Sequence, residues 1–200
     1  GTIDPEFASR VGTSAKALIE IDGVTMLERT LVSLRESGLA ARTAVIGGEK
    51  VLNHPSAQLV DFRVPEGATG PENIFKGLDA LAASGSPTEQ ILLVTCDLPF
   101  LTPQLIKDFV ASCDGDHQIC VPLISHKSFS ERFPGTTATF VSLKDGVWTT
   151  GCIYRIDVPS LRRARPHIEQ VFENRKSKFG MAKLLGPAFV FKYLTKRLTI

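Results

Sequence analysis

The sequence lacks long hydrophobic runs, an excess of one charge and any low-complexity stretch. Its 200 residues carry 23 Lys or Arg and 21 Asp or Glu, a formal net charge of +2. No apolar run approaches the ~18 residues of a membrane-spanning helix, and no basic segment followed by an apolar stretch opens the chain. A near-neutral chain is also poorly matched to the anionic backbone of nucleic acids. We therefore expect a cytoplasmic protein with neither a membrane nor a nucleic acid as partner.

The four cysteines lack the spacing of a metal or redox site. Cys96, Cys113, Cys120 and Cys152 contain no C-x-x-C pair and have no histidine at metal-ligand spacing. Structural zinc and dithiol chemistry are therefore not expected. Each cysteine lies in or beside an apolar run, which favours a small buried hydrophobic side chain.

Helical and strand patterns alternate along the first half of the chain. The helical patterns are residues 25–38, a segment following Pro71 and one that starts at Thr102. The strand patterns are residues 43–48, 58–64 and 90–97. Such alternation is typical of parallel β-α-β crossovers. We predict a three-layer, Rossmann-like α/β fold, with a mostly parallel sheet and helices on both faces.

The pattern of the second half of the chain predicts a small antiparallel sheet and a basic, helical C-terminal segment. Residues 119–123, 138–143 and 147–156 have strand character, and Lys144-Asp145-Gly146 is a hairpin signal. Helical patterns with breaks at Pro166 and Gly186 follow, and residues 161–200 hold ten basic and two acidic side chains. This segment is either a helix with a solvated basic face, a contact for an anionic substrate or partner, or a membrane-surface helix. We predict one domain over residues 1–200, with 157–200 helical.

Asp97 lies at the end of the most apolar strand pattern. In open α/β sheets, ligands bind beyond the carboxyl ends of the strands. A carboxylate in this place is a suitable oxygen ligand for Mg²⁺, and the alternative is that Asp97 caps a turn.

Two further segments have the composition of phosphate or nucleotide loops. The opening, residues 1–16, holds Arg10 and Lys16 among small residues, which predicts a flexible phosphate-binding loop or simply a solvated surface. Residues 66–73 precede a helix whose free N–H groups favour anions or ribose hydroxyls, unless the loop is an ordinary polar one. Neither segment has the glycine fingerprint of a P-loop or of a dinucleotide-binding fold.

Together these segments resemble the molybdenum cofactor guanylyltransferase-like NTP transferases, of GT-A-like fold. Arg10-Val11-Gly12 with Lys16-Ala17-Leu18 is similar to their opening motif, and residues 96–103, C-D-L-P-F-L-T-P, match their C-D-x-P-F-L-T-P segment. The P-E-N-x-x-x-G-L stretch at residues 71–78 resembles the nucleotide-holding segment of sugar and cytidylyl nucleotidyltransferases.

The resemblance implies a Mg²⁺-dependent nucleotidyltransferase. A substrate phosphate or hydroxyl would attack the α-phosphorus of a nucleoside triphosphate and release pyrophosphate. Lys16 and Arg10 would neutralise the triphosphate, Asp97 would ligate Mg²⁺, and Gly67 with Asn73 would approach the base and ribose. The implied partners are the nucleoside triphosphate and a small-molecule acceptor.

Two departures from the family pattern affect these expectations. Relatives begin with an apolar strand ending in L-A-G-G, and no such strand precedes Gly1 here. Either that strand is missing from the sequence, or this protein lacks it. In the first case, Gly1 would be the last glycine of a nucleotide-binding loop. Relatives also place T-G-G-N where this chain has Thr149-Thr150-Gly151-Cys152. A thiol is a poor Mg²⁺ ligand.

Two other functions therefore stay open. The substitution at Cys152 favours a nucleotide-binding regulatory module without chemistry. A nucleotide-sugar glycosyltransferase has similar architecture, although this chain has no D-x-D triplet.

Overall fold

The computed structural model describes residues 2–83, 85, 88–113, 115 and 117–199, without the side chain of Lys178. Gly1, predicted to lie in a nucleotide-binding loop, falls outside the described residues. The fold is mixed α/β, as predicted, and it divides into two compact units. The first consists of Gly1–Cys120 with Tyr154–Pro159, and the second of Val121–Ile153 with Ser160–Ile200.

The helices and strands are numbered in chain order. The helices are α1 (Pro5–Val11), α2 (Met26–Ser37), α3 (Glu49–Leu52), α4 (Gly70–Ala82), α5 (Pro103–Ser112), α6 (His126–Arg132), α7 (Val158–Asn174), α8 (Lys178–Leu185) and α9 (Pro187–Leu194). The strands are β1 (Glu20–Ile21), β2 (Val24–Thr25), β3 (Ala44–Gly47), β4 (Phe62–Pro65), β5 (Gln90–Val94), β6 (Ile119–Cys120), β7 (Leu123–Ser125), β8 (Val141–Leu143), β9 (Gly146–Thr150) and β10 (Ile153–Asp157). No helix among the described residues is long and apolar enough to cross a membrane.

The strands of the first unit form separate hydrogen-bonded groups. β3 and β4 are parallel, with Ala44 opposite Phe62. A three-stranded group has the order β5-β10-β6, in which β10 and β6 are antiparallel. β1 and β2 form a small hairpin whose turn residues, Asp22 and Gly23, have φ of 52° and 73°. Positive φ at both positions is what a type I′ turn requires, so Asp-Gly at this place fixes the hairpin.

Threonine caps explain where the three long helices of this unit begin. Thr25, Thr69 and Thr102 precede α2, α4 and α5, and each hydroxyl accepts a hydrogen bond from the backbone N–H three residues on, at 3.1–3.2 Å. α2 ends at Gly38, whose φ of 69° suits a residue without a Cβ. The predicted helix at residues 25–38 and the predicted start at Thr102 are both confirmed.

The core of the first unit lies between α2 and β3. Leu27, Leu31, Val45 and Ala57 form its buried centre, and Cys96 packs against them from the end of β5. Fully burying an aliphatic side chain of this size contributes about 1.5–3 kcal/mol. Cys96, which precedes Asp97, is partly buried against this core.

The second unit contains the antiparallel addition. Its sheet has the order β7-β9-β8, and Leu143 pairs with Gly146 across the turn at Lys144-Asp145, which confirms the predicted hairpin. The predicted strand at residues 147–156 is instead two strands, β9 and β10, with Gly151 and Cys152 between them. The Gly151 N–H donates to the Pro122 carbonyl at 2.9 Å, outside the β7–β9 pairs.

The helical end is also as predicted, with one exception. α8 and α9 meet at Gly186, which has a φ of 82°, so the predicted break at this glycine is confirmed. The predicted break at Pro166 is wrong, because α7 continues through it. A proline inside a helix removes one backbone hydrogen bond but does not always end the helix.

Candidate functional site

An ion pair lies at the carboxyl end of β5. Lys16 Nζ is 2.6 Å from Asp97 Oδ2, and the two side chains are 48% and 29% exposed. The Thr95 hydroxyl donates to Asp97 Oδ1 at 2.5 Å. Two residues proposed from sequence motifs 81 positions apart are thus in direct contact.

The partners of Asp97 hold its carboxylate in the charged form. Burial raises its pKa, but the hydrogen bonds from Lys16 and Thr95, with the positive charge of Lys16, outweigh that effect, so the pKa lies below the usual 3.8. The neighbouring Cys96 behaves oppositely. Burial and the negative charge of Asp97 raise the pKa of its thiol to about 11. The site therefore offers an ionised carboxylate and an ammonium, whereas Cys96 is a neutral thiol at pH 7.

The loop after Asp97 is held at its far end. The Ser33 hydroxyl of α2 donates to the Leu101 carbonyl at 2.8 Å, and the Leu101 N–H donates to the Leu98 carbonyl at 3.2 Å. The next residue, Thr102, caps α5. With Cys96 packed in the core on the other side, Asp97 is positioned from both directions.

The loop before α4 is folded onto the first turn of its helix. The Gly67 N–H donates to Asn73 Oδ1 at 2.6 Å, and the Ala68 N–H donates to Glu72 Oε2 at 2.7 Å. A Cβ at residue 67 would lie 2.1 Å from the Glu72 carboxyl carbon, so glycine permits this close approach. The Glu66 N–H donates to the Gly47 carbonyl and ties the loop to the end of β3. The two residues predicted to approach a nucleotide, Gly67 and Asn73, thus contact each other.

A cavity of about 840 Å³ lies beside these segments in the first unit. Its lining includes Gly47 and Gly48 after β3, Asn73 of α4, and Thr95 and Cys96 after β5. Asn73 therefore faces the same cavity as the two residues that precede Asp97.

Arg10 lies in a helix and not in a flexible loop. The predicted flexible loop is helical over Pro5–Val11, and Arg10 lies exposed in the last turn of this helix. The Asp4 side chain caps the helix, and proline follows it, so the signal that sequence reasoning missed was an Asp-Pro start. Among the described residues, no hydrogen bond or ion pair joins Arg10 to Lys16 or Asp97.

The residues present fit a magnesium ion that has a single protein carboxylate as ligand. No cluster of three or more His, Cys, Asp or Glu side chains able to hold a metal occurs in the described part of the chain. Asp97 Oδ2 accepts from Lys16 and Oδ1 from Thr95, and a carboxylate has about four lone-pair sites in all. Mg²⁺ commonly binds through one or two carboxylates together with substrate phosphates and water. Asp97 therefore fits an ion completed by a bound phosphate substrate, and not an ion held by protein alone.

Cys152 belongs to the second unit, where it is half-buried.

The sequence was compared with family models and with curated proteins. The sequence matches the family model described as the MobA-like NTP transferase domain over residues 6–177. A search of curated proteins found no match.

Solved structures resemble the chain over most of its length. A hypothetical transferase from Thermus thermophilus is 26% identical, with a TM-score of 0.83, over 100% of this chain and 80% of that one. A nucleotidyl transferase from Methanothermobacter thermautotrophicus is 17% identical, with a TM-score of 0.52 and coverage of 80% and 68%. The 4-diphosphocytidyl-2C-methyl-D-erythritol synthase from Anaerococcus prevotii is 15% identical, with a TM-score of 0.53 and coverage of 82% and 70%. The last two likenesses concern the fold.

Proposed function

Because the chain belongs to the MobA-like NTP transferase domain family, we propose that it moves a nucleoside monophosphate from a nucleoside triphosphate to a phosphorylated or hydroxyl-bearing small molecule. The observation that carries this proposal is the Lys16–Asp97 pair at the carboxyl end of β5. An anion-binding group and a metal-binding group side by side are what a metal-bound triphosphate requires.

The reaction is a displacement at phosphorus. An oxygen of the acceptor attacks the α-phosphorus, a new P–O bond forms, and the bond from this phosphorus to the β-phosphate oxygen breaks, so that its electron pair leaves with pyrophosphate. A phosphorylated acceptor already carries an anionic oxygen, so no side chain has to take a proton from it, whereas a hydroxyl acceptor would release its proton to solvent water.

Lys16 stabilises the charge that develops on pyrophosphate. Its ammonium is a compact charge on a flexible stem, and at 48% exposure it is accessible to a ligand. The pairing with Asp97 keeps the ammonium at the strand end before substrate binds. Arg10 is exposed on α1 and supplies a second cation to the triphosphate.

Asp97 is the residue that would hold the metal ion. Asp97 would hold Mg²⁺, which would supply charge neutralisation at the reacting phosphoryl group. The lowered pKa of Asp97 supports the assignment, because the carboxylate is ionised at neutral pH without any metal. Thr95, which donates to Oδ1, orients the carboxylate.

The cavity supports a site for the nucleoside. Its volume of about 840 Å³ is in the usual range of small-molecule sites, ~300–1,000 Å³. Asn73 lines it, and the neighbouring Gly67 lies at the loop that turns into α4. Cys96, Cys120 and Cys152 are free thiols, which supports the further proposal of a reducing compartment, the cytoplasm.

The test is pyrophosphate release from each of the common nucleoside triphosphates, with Mg²⁺ and a panel of phosphorylated and hydroxyl acceptors. We expect release with one pairing and its loss in Lys16→Ala. Nucleotide binding without release in any pairing would favour a non-catalytic binding module. Transfer of sugar from a nucleotide sugar would favour a glycosyltransferase.

A further inference from the structure

The last two helices of the second unit expose large apolar side chains. α8 and α9 meet at Gly186 and pack against each other. Their exposed large apolar residues are Phe179, Leu185, Phe189, Phe191, Tyr193 and Leu194. The exposed fraction reaches 83% at Phe179 and 73% at Leu194. Single exposed apolar residues are ordinary on a protein surface, whereas a group of them on neighbouring elements is typical of an interaction surface.

α9 has the composition of a buried helix without the burial. Lys192 is the one charged residue in its sequence, P-A-F-V-F-K-Y-L. A helix that is apolar on all sides normally lies in a protein core or in contact with lipid, and an isolated helix shorter than ~12 residues is marginally stable in water. All of α9 except Val190 is nevertheless exposed. The described residues therefore do not supply the apolar surroundings that this helix requires.

Positive charge accompanies the exposed apolar side chains. Residues 175–197 hold seven Lys or Arg and no Asp or Glu. The exposed basic residues of this segment are Arg175, Lys176, Lys183, Lys192, Lys196 and Arg197. A bilayer with anionic headgroups offers both complements, negative charge at its surface and an apolar phase directly below it.

We propose that α8 and α9, with the basic residues that flank them, form a surface that binds the face of an anionic lipid bilayer. This membrane-binding surface consists of the exposed apolar and basic residues named above. The apolar side chains enter the boundary between headgroups and acyl chains, and the basic ones contact the anionic headgroups. Each helix is about 12 Å long at ~1.5 Å per residue, against ~30 Å for the hydrocarbon core, so the helices lie on the bilayer and do not cross it.

Of the three roles that the sequence leaves open for residues 161–200, the exposed side chains favour the membrane-surface helix. A helix with only a solvated basic face keeps its apolar side chains inside the fold, unlike Phe179 and Leu194. Contact with a small anionic substrate uses the basic groups and leaves the apolar ones in water. The expectation of no membrane partner came from the lack of a spanning run, which does not bear on binding at a surface. The proposal is independent of the proposed nucleotide transfer.

The test is co-sedimentation of the complete chain with two kinds of vesicle, without nucleotide. One kind is phosphatidylcholine alone, and the other is phosphatidylcholine and phosphatidylglycerol in about equal amounts. We expect at least ~10-fold tighter binding to the anionic vesicles, weakening as added salt screens the charges. Phe179→Ser combined with Leu194→Ser should weaken that binding by about tenfold or more, and Lys192→Glu combined with Lys196→Glu should do the same. All four side chains are exposed, so both variants should keep the wild-type Tm.

The matched control combines Leu105→Ser with Lys107→Glu on α5 of the first unit. Leu105 is 53% exposed and Lys107 is exposed, so the same kinds of substitution are made at similarly exposed positions outside the membrane-binding surface. The control should bind both kinds of vesicle as the wild type does. Equal weakening in the control would show that the effect is not specific to α8 and α9, and would overturn the proposal.

Three other results would contradict membrane binding. The first is equal binding to both kinds of vesicle, or binding to neither. The second is a dimer in vesicle-free solution that Phe179→Ser with Leu194→Ser dissociates, because a second copy would then cover the apolar side chains. The third is binding to polyuridylate as tight as to anionic vesicles and unchanged by that pair of substitutions, which would indicate a nucleic-acid surface.

Discussion

Replacing Lys16 with methionine keeps an unbranched apolar stem and removes the ammonium that lies 2.6 Å from Asp97. The two side chains are 48% and 29% exposed, so solvent screens the pair. Pairs this exposed contribute about 0.2–1 kcal/mol to stability. We therefore expect the free energy of unfolding to fall by at most about 1 kcal/mol, or ~2–4 °C in Tm for a chain of this length.

The pH dependence of that loss follows from Asp97. Burial alone raises the pKa of its carboxyl, and the hydrogen bonds and charge of its partners bring it below the usual 3.8. A pKa lower in the folded than in the unfolded state stabilises the fold above the unfolded value, and the stabilisation is lost as pH falls through the folded value. The stability advantage of the wild type over Lys16→Met should be constant at neutral pH and disappear below 3.8. Urea unfolding at a series of pH values measures it.

The effect on turnover should be much larger. If Lys16 meets the charge on departing pyrophosphate, its loss should lower turnover by ~10²–10³-fold, as for other groups that stabilise developing charge. Arg165→Met is the matched control, because Arg165 Nε lies 2.9 Å from Glu169 Oε1 and these side chains are 49% and 45% exposed. That variant should keep full turnover. The reasoning is refuted if Lys16→Met keeps turnover within about twofold, or loses more than ~3 kcal/mol of stability.

Three further predictions concern neighbouring residues. Asp97→Asn should abolish the Mg²⁺ dependence of nucleotide affinity measured by calorimetry, while Asp108→Asn, on exposed α5 surface, should retain it. Gly67→Ala should lower the free energy of unfolding by about 1 kcal/mol, because the new Cβ would displace the Glu72 carboxylate from the Ala68 N–H. In a double-mutant cycle, the same substitution should have no cost when Glu72 is replaced by alanine. An unchanged cost would show that the clash lies elsewhere. Cys96, whose thiol has a pKa of about 11, should resist alkylation by iodoacetamide at pH 8 in the folded protein and react faster as pH rises. Mass spectrometry measures the alkylation. Rapid alkylation at pH 8 would contradict the burial of this thiol.

Local sequence rules predicted the elements whose ends are set by a side chain. Thr25 and Thr102 start helices, and Gly38 ends one, because a hydroxyl accepts a nearby N–H and a glycine adopts positive φ without help from distant residues. The same rules would have found α1 from Asp4-Pro5. Pro166 was misjudged because the surroundings of a helix decide whether it continues past a proline.

The candidate site was predictable in part. Asp97 was placed at a strand end by the apolar run before it, and Lys16 was singled out as a cation in the opening segment. Their contact was not derivable from spacing, since they are 81 positions apart in the chain. Gly67 and Asn73 were selected for a nucleotide, whereas the hydrogen bond between them is a property of the folded loop.

The sequence by itself determined the α/β class, the helix ends and the residue types at the strand end, because these depend on periodicity and on contacts within a few residues. Only the tertiary structure decided which strands pair and that β10 lies between β5 and β6. Strand pairing joins residues far apart in the chain, and the free energy of each pairing depends on every other element that packs against it.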